Sequence, residues 1–166
     1  MDYTYTVDGQ IASQTTSKIS STDSATILGE ERVTTFYDQA SKPRWMGGGF
    51  GWGTYVADSH YDDLGRLELA DLGNTYSAAL SRTYDPTTGR LMGQMLKREG
   101  ITGNDLNQAY KYTDSGNVTE ITDTPTNTAL GADAGVGARG EKQCFVYDNL
   151  ARLKHAWTPA LETQCG

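Results

Sequence analysis

The side chains that could do acid–base or metal chemistry are few in this sequence. His60 and His155 are its only histidines, and neither has the His-Glu-x-x-His spacing of a zinc site or a recognisable place in a catalytic triad. The adjacent Asp62 and Asp63 would make at most a weak calcium site, because the spacing of an EF-hand loop is absent. The sequence therefore predicts a protein that is not an enzyme and carries no cofactor or metal.

The two cysteines, Cys144 and Cys165, are candidates for a disulfide bond. An even number of cysteines suggests such a bond in an exported protein, and two reduced thiols are the alternative. The bond would close a loop of about 20 residues, for which the chain-entropy model gives a stabilisation of roughly 3 kcal/mol.

A segment at positions 45–55 alternates glycines with Trp45, Phe50, Trp52 and Tyr55. Aromatic rings on an open surface suit the C–H faces of a pyranose, so these four residues form a candidate glycan-binding site. The alternative is a bulged strand whose aromatic side chains cover the sheet. The glycines lack the strand-then-helix context of a dinucleotide-binding loop.

Charge and hydropathy limit the classes of partner. The net charge is −7, and the 14 lysines and arginines are scattered, so no basic patch for nucleic acid is expected. No apolar run approaches the ~18 residues of a membrane span, so membrane insertion is not expected either. Met1 is not followed by a signal peptide, and a secreted or cell-surface protein would need its signal further upstream.

A recurring tyrosine motif provides the elements that position these side chains. Each copy has a tyrosine, usually an aspartate, a short polar turn, and usually an arginine with an aliphatic residue after it. The clearest copies span 61–67 and 84–91, looser ones begin at Tyr112 and Tyr147, and the copy at Tyr37 is degraded. Successive tyrosines lie 24, 23, 28 and 35 residues apart, a period that indicates a repeat architecture.

Each copy predicts a β-hairpin whose turn needs one residue at positive φ. Glycine adopts that conformation without a Cβ penalty, and Gly65, Gly89 and Gly116 occupy the position. Ser41 and Ala151 stand there in the first and last copies, where positive φ would cost either residue ~1 kcal/mol. We therefore expect those two turns to differ.

The recurring residues are assigned structural roles. We expect the tyrosines to form a packing ladder with hydroxyls reaching backbone or water, a sugar-binding platform being the alternative. We expect the aspartates to accept hydrogen bonds from turn amides. We expect each arginine to be solvated or paired with an aspartate, and stacked repeats could bring it near an aspartate of another repeat. The repeat-structural set is Tyr37, Asp38, Tyr61, Asp62, Gly65, Arg66, Tyr84, Asp85, Gly89, Arg90, Tyr112, Asp114, Gly116, Tyr147, Asp148 and Arg152.

The pattern predicts an all-β chain of consecutive antiparallel β-hairpins, because strand alternation dominates and helix signals are nearly absent. Residues 35–166 are predicted to hold about five hairpin repeats, and residues 1–34 a degenerate repeat or strand-rich lead-in built on the Asp8-Gly9 turn signal. Residues 12–26 are polar and predicted to be irregular. The Gly/Ala-rich stretch within 124–140 is predicted to be a mobile loop.

The motif resembles the YD repeat of Rhs proteins, insecticidal toxin-complex shells and teneurins, over about residues 35–157. The resemblance implies a curved ribbon or partial shell without catalytic activity, as part of a secreted or cell-surface toxin shell or scaffold. It implies as partners neighbouring YD repeats or a second copy of the chain, and an encapsulated toxin polypeptide. The alternative is a recognition module that binds a surface glycan or a protein through positions 45–55. The chain departs from the family in its small number of repeats and in lacking the aspartyl self-cleavage pattern.

Overall fold

The computed structural model describes residues 1–19, 26–74, 77–127, 140–160 and 163–165. All regular elements within these ranges are β-strands. The strands are β1 (Asp2–Tyr5), β2 (Ile11–Ile19), β3 (Thr26–Tyr37), β4 (Pro43–Gly48), β5 (Gly53–Tyr61), β6 (Leu67–Leu72), β7 (Ala78–Tyr84), β8 (Leu91–Arg98), β9 (Leu106–Tyr112), β10 (Val118–Asp123), β11 (Glu141–Tyr147) and β12 (Leu153–Trp157).

The strands fall into two units, Met1–Ser77 with β1 to β6 and Ala78–Gly166 with β7 to β12. Within the first unit each strand pairs antiparallel with the next one along the chain. The second unit follows the same rule. The predicted all-β fold of consecutive antiparallel hairpins is therefore confirmed.

The tyrosine motif sets the end of every odd-numbered strand, because each of these six strands stops on a tyrosine. The chain then turns within a few residues. In the turn after Tyr61, the Asp62 amide donates to the Arg66 carbonyl at 2.9 Å and the Gly65 amide to the Asp62 carbonyl at 2.8 Å. The turn after Tyr84 has one residue more and closes in the same way.

One expectation about the turn residue at positive φ was wrong. Gly65, Gly89 and Gly116 have φ of 81°, 72° and 99°, as predicted. Ser41 and Ala151 also have positive φ, 62° and 60°, so the first and last turns do not differ. Their amides donate to the carbonyl three residues earlier at 3.0 and 2.9 Å. The strand pairing and the turn's hydrogen bonds outweigh a conformational cost of ~1 kcal/mol.

The amino-terminal residues form a sixth hairpin of the same design. Gly9 has a φ of 82°, and the Thr6 amide donates to the Gln10 carbonyl at 2.7 Å. The expectation that residues 12–26 are irregular was wrong for 12–19, which belong to β2, and for Thr26, the first residue of β3. The Thr-rich sequence of β2 suits a strand, and pairing with both β1 and β3 satisfies its backbone. Residues 20–25 lie outside the described ranges.

Full burial of apolar side chains is confined, among the described residues, to Ala70 and Cys144. Cys144 is covered by the carboxy-terminal tail, since Cys144 and Cys165 are joined by a disulfide with their Cα atoms 5.4 Å apart. The Lys142 ammonium also donates to the Thr163 carbonyl at 2.9 Å. Most other strand side chains are half-buried, so each unit presents broad sheet faces. Of the predicted loop at 124–140, positions 128–139 lie outside the described residues, and 124–127 have no regular structure.

Candidate functional site

The aspartate that begins each turn holds it together. The Asp62 carboxylate accepts hydrogen bonds from the amides of Leu64 at 3.0 Å and Arg66 at 2.8 Å. Asp38 and Asp148 do the same in their own turns. In the copy at Tyr112 the Thr113 hydroxyl, accepting from the Asn117 amide at 3.1 Å, takes this place instead of the predicted Asp114.

These contacts favour the ionised carboxylates. The Thr88 amide and then its hydroxyl donate to Asp85 and lower the pKa of that carboxyl. The pKa of Asp148 is lowered by the backbone amide of Arg152 and then by its guanidinium. A carboxylate that accepts several hydrogen bonds binds its proton more weakly.

Three of the motif tyrosines tie successive hairpins together through their hydroxyl groups. Each of these hydroxyls donates to a backbone carbonyl of the preceding hairpin. The acceptor is the first residue of the strand that follows that hairpin's turn, so the predicted backbone contact is made. The three pairs are Tyr37 to Ile11 at 2.9 Å, Tyr61 to Pro43 at 2.6 Å and Tyr112 to Leu91 at 2.7 Å.

A cation from the preceding turn lies over two of these three tyrosine rings. The Arg90 guanidinium is 5.6 Å from the centre of the Tyr112 ring and donates to the carbonyls of Thr113 and Asp114, both at 3.0 Å. The Lys42 ammonium lies 5.3 Å from the centre of the Tyr61 ring. The residue after one turn therefore binds the ring, and in the case of Arg90 also the backbone, of the next turn.

The glycine of the next turn makes room for that cation. A Cβ on Gly65 would lie 2.7 Å from the Lys42 ammonium nitrogen, and one on Gly116 would lie 3.0 Å from the Arg90 guanidinium. Glycine at this position thus has two functions, positive φ and space. Sequence reasoning found the first only, and Lys42 was not among the predicted site residues.

Two of the recurring arginines form the aspartate pairs that the sequence suggested, each within its own repeat. Arg66 forms an ion pair with its own Asp62 at 2.6 Å, and Arg152 with its own Asp148 at 2.8 Å. The turn brings residues four apart together, so the nearest carboxylate is that of the same repeat. Arg90 does reach the next repeat, but it contacts carbonyl oxygens there.

The Gly/aromatic segment at positions 45–55 forms the end of β4, a tight turn and the start of β5. Trp45 packs edge-to-face on Phe36 with ring centres 5.3 Å apart, and its indole lies over Gly47. Phe50, at a φ of 57°, sits in the turn with the Arg32 guanidinium 5.6 Å from its ring centre.

The other two aromatic residues of the segment contact β3. The Trp52 indole N–H donates to the Glu30 carbonyl at 3.3 Å, and the Tyr55 hydroxyl donates to the Glu31 carboxylate. That hydrogen bond raises the pKa of Tyr55. Phe50 and Trp52 remain 63% and 52% exposed, while Trp45 and Tyr55 are half-buried. The four candidate glycan-binding residues thus divide into two exposed and two packed ones.

The described residues offer little else for catalysis. His60 lies 3.3 Å from Asp58, which pairs with Arg44 at 2.9 Å on the surface. In the part of the chain that the structure describes, no three or more His, Cys, Asp or Glu side chains gather as a metal site would need. Nor does that part contain a helix long and apolar enough to cross a membrane.

No family model and no curated protein matches the sequence. Solved structures do match. A crystal structure of TcdB2-TccC3-Cdc42 matches 92% of this chain with a TM-score of 0.63 and 17% identity, over 9% of its own chain. TcdB2-TccC3 without its hypervariable C-terminal region gives the same values. A Photorhabdus luminescens Tc holotoxin pore matches 95% of this chain with a TM-score of 0.52 and 14% identity, over 11% of its own chain.

The chain thus has the fold of a region of the TcdB2-TccC3 chains, and spans about a tenth of their length. The predicted resemblance to the YD-repeat fold of toxin complexes is confirmed at the level of fold.

Proposed function

We propose that the chain is a non-catalytic structural module, one stretch of hairpins in the wall of a secreted or cell-surface Rhs-like toxin shell or scaffold. The carrying observation is the repeated contact between successive turns, made by the hydroxyls of Tyr37, Tyr61 and Tyr112 and, at the last two of these tyrosines, also by a cation. Tyrosine, lysine and arginine side chains, which an enzyme could use for chemistry, make this structural contact instead. The residues of the predicted repeat-structural set serve this purpose in the proposal.

The two outer strands support a wall that continues beyond them. All four residues of β1 and all five of β12 are exposed, including Tyr5 and Leu153. An uncovered edge strand carries unpaired backbone groups and is a template for further strand pairing. In the proposed wall, neighbouring YD repeats or a second copy of the chain cover both edges.

The module's place in a toxin shell follows by analogy. The matched structures are described as TcdB2-TccC3 assemblies, one of them without a hypervariable C-terminal region. We propose that the broad sheet faces of this chain help to enclose such a polypeptide, and that a signal upstream directs export.

Hydrogen exchange tests the wall proposal. The longer polypeptide that carries this chain is compared with the isolated chain by mass spectrometry. The amides of β1 and β12 are expected to exchange quickly in the isolated chain and slowly in the assembly, because pairing protects them. The amides of β8 and β9, paired on both sides, serve as the internal control. Equally fast exchange of both edges in the assembly contradicts the proposal.

A second candidate function is recognition of a glycan or protein by the Gly/aromatic segment at 45–55, favoured by the exposure of Phe50 and Trp52. Glycan-array binding that is lost in Trp52→Ala and kept in Trp157→Ala, an exposed tryptophan on β12, would support it. Trp45→Ala is informative too, although Trp45 also packs on Phe36. An array without any wild-type binding removes the glycan form of this candidate.

A further inference from the structure

The residue after each turn and the residue at positive φ in the next turn vary together. When the residue after a turn is a cation, the positive-φ residue of the next turn is glycine. When the residue after a turn is an amide, that positive-φ residue carries a Cβ. The cation–glycine pairs are Lys42/Gly65, Arg66/Gly89 and Arg90/Gly116, and the amide pairs are Gln10/Ser41 and Asn117/Ala151.

Space explains two of the three cation–glycine pairs, Lys42/Gly65 and Arg90/Gly116. Adding a Cβ to Gly65 or Gly116 would bring it to 2.7 or 3.0 Å from the cation that the preceding turn supplies. Contacts that short require the end of the cationic side chain to shift from its place over the tyrosine ring.

The amide pairs work differently because their side chains are shorter or bind elsewhere. The Gln10 amide donates to the carbonyl of Ser41 at 2.7 Å, so it needs no space over the ring. The side-chain amide nitrogen of Asn117 lies 3.4 Å from the Ser115 hydroxyl of its own turn. A groove of about 600 Å³ remains between that turn and the last one, lined by Thr113, Tyr147 and Ala151 among others.

The two ends of the chain carry one half of a cation–glycine pair each. Arg152, after the last turn, has a side chain that is 73% exposed. In the first turn, the missing Cβ of Gly9 has open space around it, and Tyr5 is 62% exposed. Arg152 of the last described turn and the glycine turn at Gly9 are therefore complementary halves of such a pair.

We infer that these pairs decide which repeat can follow which, and that by this rule the last turn of the chain docks the first turn of a second copy. The inference rests on the proposed wall contact and names its partner. Arg152 of one copy lies over the Tyr5 ring of the next, the Tyr5 hydroxyl donates to the Leu153 carbonyl, and β12 pairs antiparallel with β1. The contact is head-to-tail, so it builds open chains of copies rather than closed dimers.

Sedimentation equilibrium of the full chain from about 1 to about 100 μM, a range that covers weak protein association, tests this contact. The wild-type chain is expected to associate. Arg152→Asn converts the cation to an amide and should weaken association about tenfold or more, as loss of a cation–π contact with its charge-assisted hydrogen bonds implies. Lys97→Asn, the same charge change at an exposed position of β8, should leave association unchanged.

A mixing experiment fixes the head-to-tail geometry. Tyr5→Ala removes the first-turn half and Arg152→Asn the last-turn half, so each variant alone should associate about tenfold or more weakly than the wild type. Mixed together they retain one intact junction and should form a 1:1 dimer, which also shows that both variants are folded.

Three results would overturn the inference: a monomeric wild type at about 100 μM, where even weak interfaces are populated; unchanged association of Arg152→Asn; or self-association of both end variants as strong as that of the wild type, which would indicate a different interface. A monomeric wild type leaves the wall proposal standing, because hydrogen exchange tests that proposal in the longer polypeptide.

Discussion

At the residue scale, the glycine and the tyrosine of a turn each serve two hairpins. The turn glycine permits positive φ in its own hairpin and makes room for the cation of the one before. The tyrosine ends a strand and reaches back to the preceding repeat with its hydroxyl. A substitution at either residue should therefore affect more than its own turn.

Replacing the turn glycines by valine tests both functions. Gly65→Val and Gly89→Val should each lower the free energy of unfolding by more than ~1 kcal/mol, because a β-branched residue tolerates positive φ least. Gly100→Val is the control for conformation alone, since Gly100 has a φ of 73° with open space around it. Gly65→Val should cost more than Gly100→Val in urea denaturation. Neutral effects at both Gly65 and Gly89 would contradict the turn assignment.

The cation–glycine pairing predicts thermodynamic coupling between Arg90 and Gly116. Gly116→Ala should cost less in an Arg90→Gln background than in the wild type, because the crowding at 3.0 Å is then removed. A double-mutant cycle should give a coupling free energy of about 0.5 kcal/mol or more, the lower range for residues in contact. Strict additivity would show that the two residues do not act as a pair.

Stability should fall in acid because of the turn aspartates. The hydrogen bonds to Asp85 and Asp148 lower the pKa of both carboxyls in the folded protein. Their contribution is therefore present above the unfolded value of about 3.9 and is lost as pH falls through the folded pKa.

Urea midpoints at several pH values below about 5, which span that unfolded pKa, check this prediction. The Asp85→Asn variant should lose less stability on acidification than the wild type. Asp63→Asn, an exposed neighbour in another turn, should behave like the wild type. A wild-type midpoint that does not depend on pH would contradict the account.

At the element scale, the sequence predicted the hairpins well because their turns are encoded locally. Tyrosine, aspartate and glycine at fixed offsets specify where each strand ends, and strand pairing follows from the short turns. Ser41 and Ala151 escaped this reasoning, since their φ is imposed by the paired strands on either side. β2 escaped it too, because a Thr-rich strand without apolar alternation resembles a loop in sequence.

The contacts between repeats could not be predicted from the sequence in the same way. Whether Arg90 turns back to its own Asp85 or forward over Tyr112 depends on the register of the neighbouring hairpin, which no local pattern encodes. The split of the aromatic segment into packed Trp45 and Tyr55 and exposed Phe50 and Trp52 depends on β3, whose Glu30–Arg32 stretch gave no signal of its own.

A single disulfide bond attaches the carboxy-terminal tail to β11. Replacing Cys144 and Cys165 by serine removes a cross-link between positions 21 apart and should lower the free energy of unfolding. The chain-entropy model puts the loss at roughly 3 kcal/mol. The amides of β11 should also lose hydrogen-exchange protection, since Lys142 then no longer holds Thr163 in place. An unchanged urea midpoint under reducing conditions would contradict a structural disulfide.

At the scale of the whole molecule, each hairpin depends on its neighbours rather than on a large core. Only Ala70 and Cys144 are fully buried apolar residues in the described ranges. Repeat proteins of this kind gain stability from each added neighbour, and exposed end repeats need covering. The exposed β1 and β12 therefore fit a segment of a larger wall better than a self-contained domain.

The structure of the complete polypeptide that carries this chain, determined by electron cryomicroscopy, tests that claim most directly. The account predicts that β1 and β12 are each paired with a further strand, with the Tyr5 hydroxyl on a carbonyl after a preceding turn. It also predicts that Arg152 lies over the tyrosine of the next repeat. If both outer strands face solvent in the complete protein and no further repeat contacts Tyr5 or Arg152, the chain is a self-contained domain and the wall account is wrong.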